Sequence, residues 1–466
     1  MNKFDQNSAT RFSLSPLDGR YAEKLKEVSQ LFSEYQLNLT RINIELAWLK
    51  TLAEEPTVEE ITPLNPNELT YLENITTSFT ERDAIQLKKL ETTTNHDIKA
   101  IESFLREKIS NHPSLSQYKE FIHFGCTSED INNLSYAFII KEAKTTILKP
   151  TMINLIHKLI IMAKQYASTP MLSHTHGQPA TPTTFGKEIA NFVHRLSRQY
   201  NQISDAPIYG KFSGAVGNLN ALKVAYPQTN WQKITRTFVE NLDLQWNPYV
   251  TQIEPHDWIA EHSHIIMRFN TILLGLCKDI WSYISLGYLK QKIILGETGS
   301  STMPHKVNPI DFENAEGNLG IANSLLSHFA EKLPISRWQR DLSDSTVMRN
   351  LGVSIGHTIV AYKSIAIGLD KIVIDPHELS LDLEKHWEVV SEAIQTVMRR
   401  LRLEEPYEQL KQLTRGQKVT QKLLHEFIKK LKIPTEMKKK LLAITPHNYI
   451  GEADQLANSI QIFLNY

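Results

Sequence analysis

DWIAEHSHIIMRFNTILLGLCKDIWSYISLGYLKQKII, residues 257–294, places Ile265, Ile266, Phe269, Ile272, Leu273, Leu276, Ile280, Ile284 and Leu289 on most faces of a 3.6-residue period. A helix that is apolar nearly all round must be covered on every side, as in the middle of a bundle or between copies of a chain. The spacing predicts a long buried helix running the length of this stretch. Its neighbours read the same way. Residues 131–148 and 150–166 carry apolar side chains at helical intervals (Met152, Leu155, Leu159, Met162) with polar Asn154 and Lys158 between them, and Pro150 either starts the second segment or kinks a continuous one. Asn308 and Pro309 form a cap-and-proline start for another helix, and a further one is expected from about Thr346 or Val347 to Leu369. Shorter helices separated by Pro56, Pro63, Pro66 and Pro113 precede this set, and others broken at Pro406, Gly416, Pro434 and Pro446 follow it. The expected fold is all-α, with a long central helical bundle over 121–372 flanked by smaller helical domains at 1–120 and 373–466.

A chain of 466 residues exceeds the usual span of one core, so several domains are expected. Lys and Arg number 51, as do Asp and Glu, which removes the field that would draw nucleic acid and leaves phosphate binding to a few placed groups. Cys126 and Cys277 lie far apart and outside any metal-ligand spacing, so neither a disulfide framework nor a zinc site is signalled and a reducing cytoplasm fits. The opening MNKFDQNSATRF lacks the apolar core of a signal peptide. Apolar runs such as Ile272–Cys277 fall short of the ~20 residues that span a bilayer, so no membrane partner is expected.

Chemistry concentrates where helical periodicity stops. Residues 296–318, GETGSSTMPHKVNPIDFENAEGN, put Ser300, Ser301, His305, Lys306 and Asn308 behind Gly296 and Gly299 and lead into a helix start, whose free N–H groups suit anions. Thr94–Asp97 (TNHD) and Thr127–Asp130 (TSED) have the spacing of capping boxes. They either only cap helices or also offer His96 and Ser128 to an anionic ligand. SHTHGQPATP, 173–182, reads as a loop; its His-x-His has no third metal ligand nearby, which leaves a structural histidine or a proton shuttle. The glycine spacing of 210–218 (GKFSGAVGN) fits no nucleotide loop, and no Gly-x-Ser-x-Gly elbow supports a hydrolase built on Ser300 and His176. RWQRDLSDSTVMR, 337–349, brings three arginines and hydroxyls to a helix start, suited to a phosphate or simply solvated on a turn.

Residues 299–309 match throughout the pattern Gly-Ser-Ser-x-Met-Pro-x-Lys-x-Asn-Pro, and with the clusters at 95–97, 127–128 and 175–182 the chain resembles the fumarase/aspartase superfamily. His305, Val307 and the run PIDFEN resemble its adenylosuccinate lyase branch in the longer bacterial form. The resemblance covers essentially the whole chain, including Arg20, Tyr21 and the stretch Thr251–His256. It implies a homotetramer with a core of helices from all four subunits, active sites shared by three subunits, no cofactor and no metal. The implied reaction is β-elimination of fumarate from succinylated purine-pathway ribotides. Carbanion formation beside a carboxylate calls for fixed positive charge and N–H donors, and the leaving amine calls for a general acid. By resemblance His176 is the acid, with His96 beside the phosphate or leaving group. Ser300 is the base, on a loop expected to close over substrate, and Lys306 supports the charge. Substrate binding is assigned by the same resemblance to Arg20, Tyr21, Asn95, His96, Asp97, Thr127, Ser128, Thr175, Gln252, Ser301, Lys306, Val307, Asn308, Asn314, Arg340, Ser345, Thr346, Val347, Met348 and Arg349. Two other readings stay open, a relative acting on a different fumarate-yielding substrate and a structural protein that keeps the fold without activity.

Overall fold

Helices carry the fold throughout residues 13–292, 294, 303, 306–416 and 418–460, the part of the chain that the computed structural model describes. Among these residues, strands occur as three two-stranded sheets, so the all-α expectation holds. The chain forms two compact units. One takes the described residues of Met1–Thr151, Gln202–Arg268 and Asn318–Val360; the other takes the described residues of Met152–Asn201, Phe269–Gly317 and Ala361–Tyr466.

Helix Asp257–Ser285 follows the reading, with Ile265, Phe269, Leu273, Leu276 and Ile280 buried. A stripe at Glu261, His264, Arg268 and Thr271, three to four residues apart, stays exposed on one face, as does Lys278 two turns on. The helix ends nine residues before the expected Ile294. Gly287, at φ +79°, turns the chain, and Leu289–Gln291 pairs antiparallel with Ile372–Ile374. Glycine just past a helix end is an ordinary stop signal that the apolar run of Ile284 and Leu289 masks.

Residues 128–165 form one nearly continuous helix. Ser128–Ala143 passes through a π turn at Lys144–Leu148 into Lys149–Gln165. Pro150 therefore sits inside the element, just after a widened turn that disturbs the hydrogen-bond ladder where proline cannot donate. Helix Ile310–Lys332 starts one residue later than expected, with Pro309 O accepting from Phe312 N at 3.0 Å. The helix expected to begin near Thr346 comes in two pieces, Ser343–Met348 and Leu351–Lys371, separated at Arg349–Asn350. Gly352 lies so close to Phe32 that a Cβ there would meet the Phe32 Cβ at 2.4 Å. Two stretches, Ser128–Gln165 and Ser343–Lys371, are long and apolar enough to cross a bilayer, contrary to the sequence reading; 72% of the apolar window of the second is buried within the protein, the environment of a core helix.

In the first unit, helix Glu34–Glu54 packs Leu37, Ile44, Trp48, Leu49 and Leu52 inward. Trp48 is fully buried, its Nε1 donates to Phe124 O at 2.9 Å, and its ring lies 4.1 Å from that of Phe212. Truncating such a residue to alanine costs about 3–5 kcal/mol. In the second unit, Leu172 joins a core with Leu383, Val390, Ile394, Met398, Leu424 and Ile428. The stretch expected as a loop, 173–182, is instead part of a hairpin, Pro170–Thr175 paired with Gln178–Thr184. Pro179 and Pro182 argue against a strand in sequence. A two-stranded ribbon consists only of edges, so their missing N–H groups leave no inner ladder incomplete.

Candidate functional site

Thr127, Ser128 and the glycine loop are fixed by one buried carboxylate. Asp130 Oδ2 accepts from Thr127 N and Gly214 N, each at 2.9 Å, and Oδ1 accepts from Ser213 N at 2.8 Å. Lys211 Nζ lies 2.7 Å from Oδ1, with both side chains 0% exposed. Asn133 completes the join, accepting from Lys211 N at 2.8 Å and donating to Lys211 O at 3.0 Å. The Thr127–Asp130 cluster is thus a helix start, as its spacing predicts, and also the anchor of residues 210–214. Gly217, at φ +84°, allows the loop to pass under Val250 and Thr251, where a Cβ would meet Val250 O at 2.4 Å. Gln252 Nε2 then donates to Ala215 O at 3.1 Å.

Asp97 gathers two arginines. Arg41 Nη2 stands 2.8 Å from Asp97 Oδ2, and Arg349 Nη2 stands 3.4 Å from the same oxygen. Burial alone would raise the Asp97 pKa, but Arg41, the Ile98 N–H and Arg349 outweigh it and hold the carboxyl below its ordinary value. Arg41 is 1% exposed and also donates to Asn132 and Asn38, so its guanidinium is fully engaged. Arg349 is more open and shares its other face with Glu34 at 3.4 Å. It lines a cleft of about 270 Å³ together with Ser15, Asp18, Ser29, Ser33 and Gly352.

The TNHD cluster departs from its predicted form. Thr94 is the last residue of helix Glu81–Thr94, and Asn95 caps that helix at φ 51°. His96 itself caps Asp97–Ser110, its Nδ1 accepting from Lys99 N at 3.2 Å. With Nδ1 serving as acceptor, a neutral His96 carries its proton on Nε2, which is free to face a ligand from an exposed position.

Arg340 is held between carboxylates, 3.1 Å from Glu129 and 3.6 Å from Asp344. His256, buried and at φ +65°, approaches Asp344 at 3.4 Å, and its N–H donates to Glu254. Burial would raise the Asp344 pKa; His256 and Arg340 bring it below its ordinary value instead. This network supports helix Ser343–Met348, where Ser345 N donates to Asp344 Oδ1 at 2.7 Å. Thr346 is exposed, Val347 half-buried, and Met348 turned into the core. Arg20 is exposed beside Tyr21, whose N–H donates to Pro16 O at 2.9 Å.

In the second unit, His176 and Gly177 form the two-residue tip of the 170–184 hairpin, with φ +55° and +72°. Positive φ at both positions is the type I′ geometry that matches strand twist, and it leaves Thr175 and His176 exposed at the tip. Lys306 and Val307 are exposed and Asn308 is half-buried. Lys306 N donates to Met303 O at 3.0 Å, and Val307 O accepts from Gln291 Nε2 at 3.1 Å. Asn314 accepts from Ser364 at 3.0 Å. Ser300, Ser301 and His305 lie outside the described residues.

Among the described residues, Glu45, His123 and Cys126 bring donor atoms within 4.8 Å of one another and are the group that could hold a metal. They already satisfy each other: Glu45 Oε1 meets His123 Nδ1 at 2.6 Å and Cys126 Sγ lies 3.3 Å from the same nitrogen. Burial would lower the His123 pKa, and the Glu45 carboxylate reverses that and raises it, while burial pushes the Cys126 thiol up. The arrangement is that of a buried ion pair. Arg41, Lys211 and Glu45 were not picked out from sequence. Their signal was a charged residue inside an apolar helical or loop pattern, which is seldom left buried without a partner.

A family model described as "Lyase" matches residues 19–322, and one described as "Adenylosuccinate lyase C-terminal" matches 336–450. The chain is 51% identical over 452 residues to the adenylosuccinate lyase of Haemophilus influenzae, covering 97% of this chain and 99% of that one. The Escherichia coli K12 enzyme of the same name is 51% identical over 449 residues, covering 96% and 98%. Among solved structures, fumarate lyase from Mesorhizobium sp. BNC1 superposes with a TM-score of 0.76 at 17% identity, covering 93% and 97%. The 3-carboxy-cis,cis-muconate lactonizing enzyme from Pseudomonas putida gives 0.73 at 19%, covering 94% and 97%. At such identities these two structures speak to the fold alone.

Proposed function

This chain belongs to the adenylosuccinate lyase family, and from that premise we propose that it is a carbon–nitrogen lyase. It eliminates fumarate from adenylosuccinate, leaving AMP, and from succinylaminoimidazole carboxamide ribotide, leaving AICAR, in purine nucleotide biosynthesis. The observation that carries this is identity of about half the residues, over nearly the full length of both chains, to enzymes named for that reaction.

The chemistry divides among the residues as follows. The substrate's C–H is acidified by the neighbouring carboxylate, where charge accumulates as the proton leaves. Lys306, exposed just before helix Ile310–Lys332, and the positive dipole end of that helix supply positive potential there. Ser300 is the base, taken over from the superfamily signature at 299–309. His176 protonates the departing amine; its exposed place at a hairpin tip lets the imidazole reach a substrate held elsewhere. His96 offers Nε2–H to the phosphate or leaving group, and Arg349, more exposed than Arg41 or Arg340, takes the phosphate. Arg20, Tyr21, Asn95, Asp97, Thr127, Ser128, Thr175, Gln252, Ser301, Val307, Asn308, Asn314 and the 345–348 turn complete the binding surface, with Arg340 as its internal support.

We propose in addition a homotetramer whose active sites combine clusters from three subunits, the three-domain division at about 120 and 372, and a cytoplasmic setting. The two cysteines are unpaired, which suits a reducing compartment. The test is to mix purified protein with adenylosuccinate and follow AMP and fumarate together. Equimolar release by the wild type, with turnover lost in Ser300→Ala and His176→Ala while substrate still binds, is the expected result. No fumarate release by the wild type would overturn the substrate assignment, and substantial turnover by Ser300→Ala would remove it as the base.

A further inference from the structure

The hairpin that carries His176 and the strand that anchors Val307 meet at one carboxylate. Helix Pro376–Lys385 is capped by Asp375, whose N–H donates to Tyr288 O at 2.9 Å, and is seated by buried Leu379 and Leu383. Asp382, between those two leucines, accepts a hydrogen bond from the Tyr288 hydroxyl. The same Asp382 oxygen lies 3.7 Å from His174 Nε2, and its other oxygen lies 3.7 Å from His386 Nε2. His174 is two residues from His176 on the same strand and pairs with Pro179 across the hairpin. Tyr288 directly precedes strand Leu289–Gln291, and Gln291 holds Val307 O, one residue from Lys306. One acidic side chain thus touches the proposed acid's hairpin at His174 and is linked, through Tyr288 and the strand that ends at Gln291, to the segment bearing the proposed cation. A second brace acts farther along the hairpin, where Thr181 Oγ1 donates to Glu392 Oε2 at 2.5 Å and Tyr449 donates to the same oxygen at 3.1 Å.

We infer that Asp382 is a positioning residue for the elimination, tying the hairpin of His176 to the strand that orients Val307 and Lys306. The inference rests on the proposed roles of His176 and Lys306. The Tyr288 hydroxyl stays a donor, because burial, and then Asp382, push its pKa far above the ordinary tyrosine value. The contacts to His174 and His386, each at 3.7 Å, are longer than hydrogen bonds. His386 is itself drawn off by Glu388 at 2.7 Å, which leaves Tyr288 and His174 as the partners that Asp382 orients. Misplacing reacting groups by about 1 Å costs up to about a hundredfold in rate.

The test combines kinetics with hydrogen exchange on full-length protein. Asp382→Ala and Tyr288→Phe are expected to lower kcat about tenfold or more with KM within about twofold, the split expected when positioning rather than binding is lost. Asp382→Asn, which keeps an acceptor for Tyr288, is expected to recover most of that loss. Amide exchange should rise in Asp382→Ala at both 174–178 and 306–308. Values of kcat within twofold of wild type in both Asp382→Ala and Tyr288→Phe would overturn the proposal, as would faster exchange in the hairpin with 306–308 unchanged. Should the wild type release no fumarate from adenylosuccinate, the assigned reaction fails, while the exchange at the two segments still decides whether Asp382 joins them.

Discussion

Replacing Asp130 by alanine removes the acceptor that Lys211, Thr127, Ser213 and Gly214 share at 2.7–2.9 Å in a site with no solvent exposure. Stranding the Lys211 ammonium without a partner costs about 3–5 kcal/mol. Each backbone N–H left dry would add about 1–3 kcal/mol, though water entering the space of the missing carboxyl offsets part of this. The expected loss is about 4–6 kcal/mol, at the upper end for a single substitution. Lys211→Met should cost less, about 1–2 kcal/mol, because three N–H donors still hold the carboxylate. In the Lys211→Met background, Asp130→Ala should cost about 2–3 kcal/mol, leaving a coupling of about 2 kcal/mol between the two sites. Urea unfolding followed by tryptophan fluorescence reads this directly, since Trp48 lies 4.1 Å from the ring of Phe212, next in sequence to Lys211. A loss under about 1 kcal/mol for Asp130→Ala, or the same loss with and without Lys211, would refute the reasoning that the buried pair anchors the glycine loop.

Arg349→Ala should raise KM for the phosphorylated substrate about tenfold, since Arg349 holds its carboxylate partners only at 3.4 Å and can turn toward a phosphate; an unchanged KM would contradict that assignment. His262 gives a pH signature in the first unit. Burial holds its pKa down at about 4, and Lys144 adds to this, although the bond to Trp258 O opposes it. The unfolded chain takes up this proton below about pH 6.5 whereas the folded chain does so only near 4, so stability falls as pH drops through that window. His262→Gln should remove that share of the loss, which urea midpoints at several pH values between 6.5 and 4 would show as a flatter curve.

How far the sequence could be read depended on whether a feature was local. Helix Asp257–Ser285 and the helices on either side of Pro150 repeat one pattern over many turns, and repetition makes apolar periodicity hard to mistake. The signature at 299–309 is equally local, a contiguous string that can be read without knowing what lies across the fold. Misreadings came where one residue outweighed a pattern. Gly287 ended a helix that the apolar run seemed to continue, and two prolines disguised the hairpin that presents His176. His96, rather than Thr94, proved to be the cap, because Asn95 takes the left-handed conformation that closes the preceding helix and hands the next start to His96.

Read along the chain, the residues specify a helical fold, mark helix starts and the 173–182 and 296–318 stretches as candidates for polar chemistry, and spell out the superfamily signature. Tertiary structure alone decided the partners of the charges. Arg41 meets Asp97 across 56 positions, Lys211 meets Asp130 across 81, and Asp382 meets Tyr288 across 94. Helical periodicity is an interaction between residues three and four apart and is therefore written in the chain. A buried charge takes its partner from whatever the packing brings within about 3 Å, and packing is a property of the folded chain.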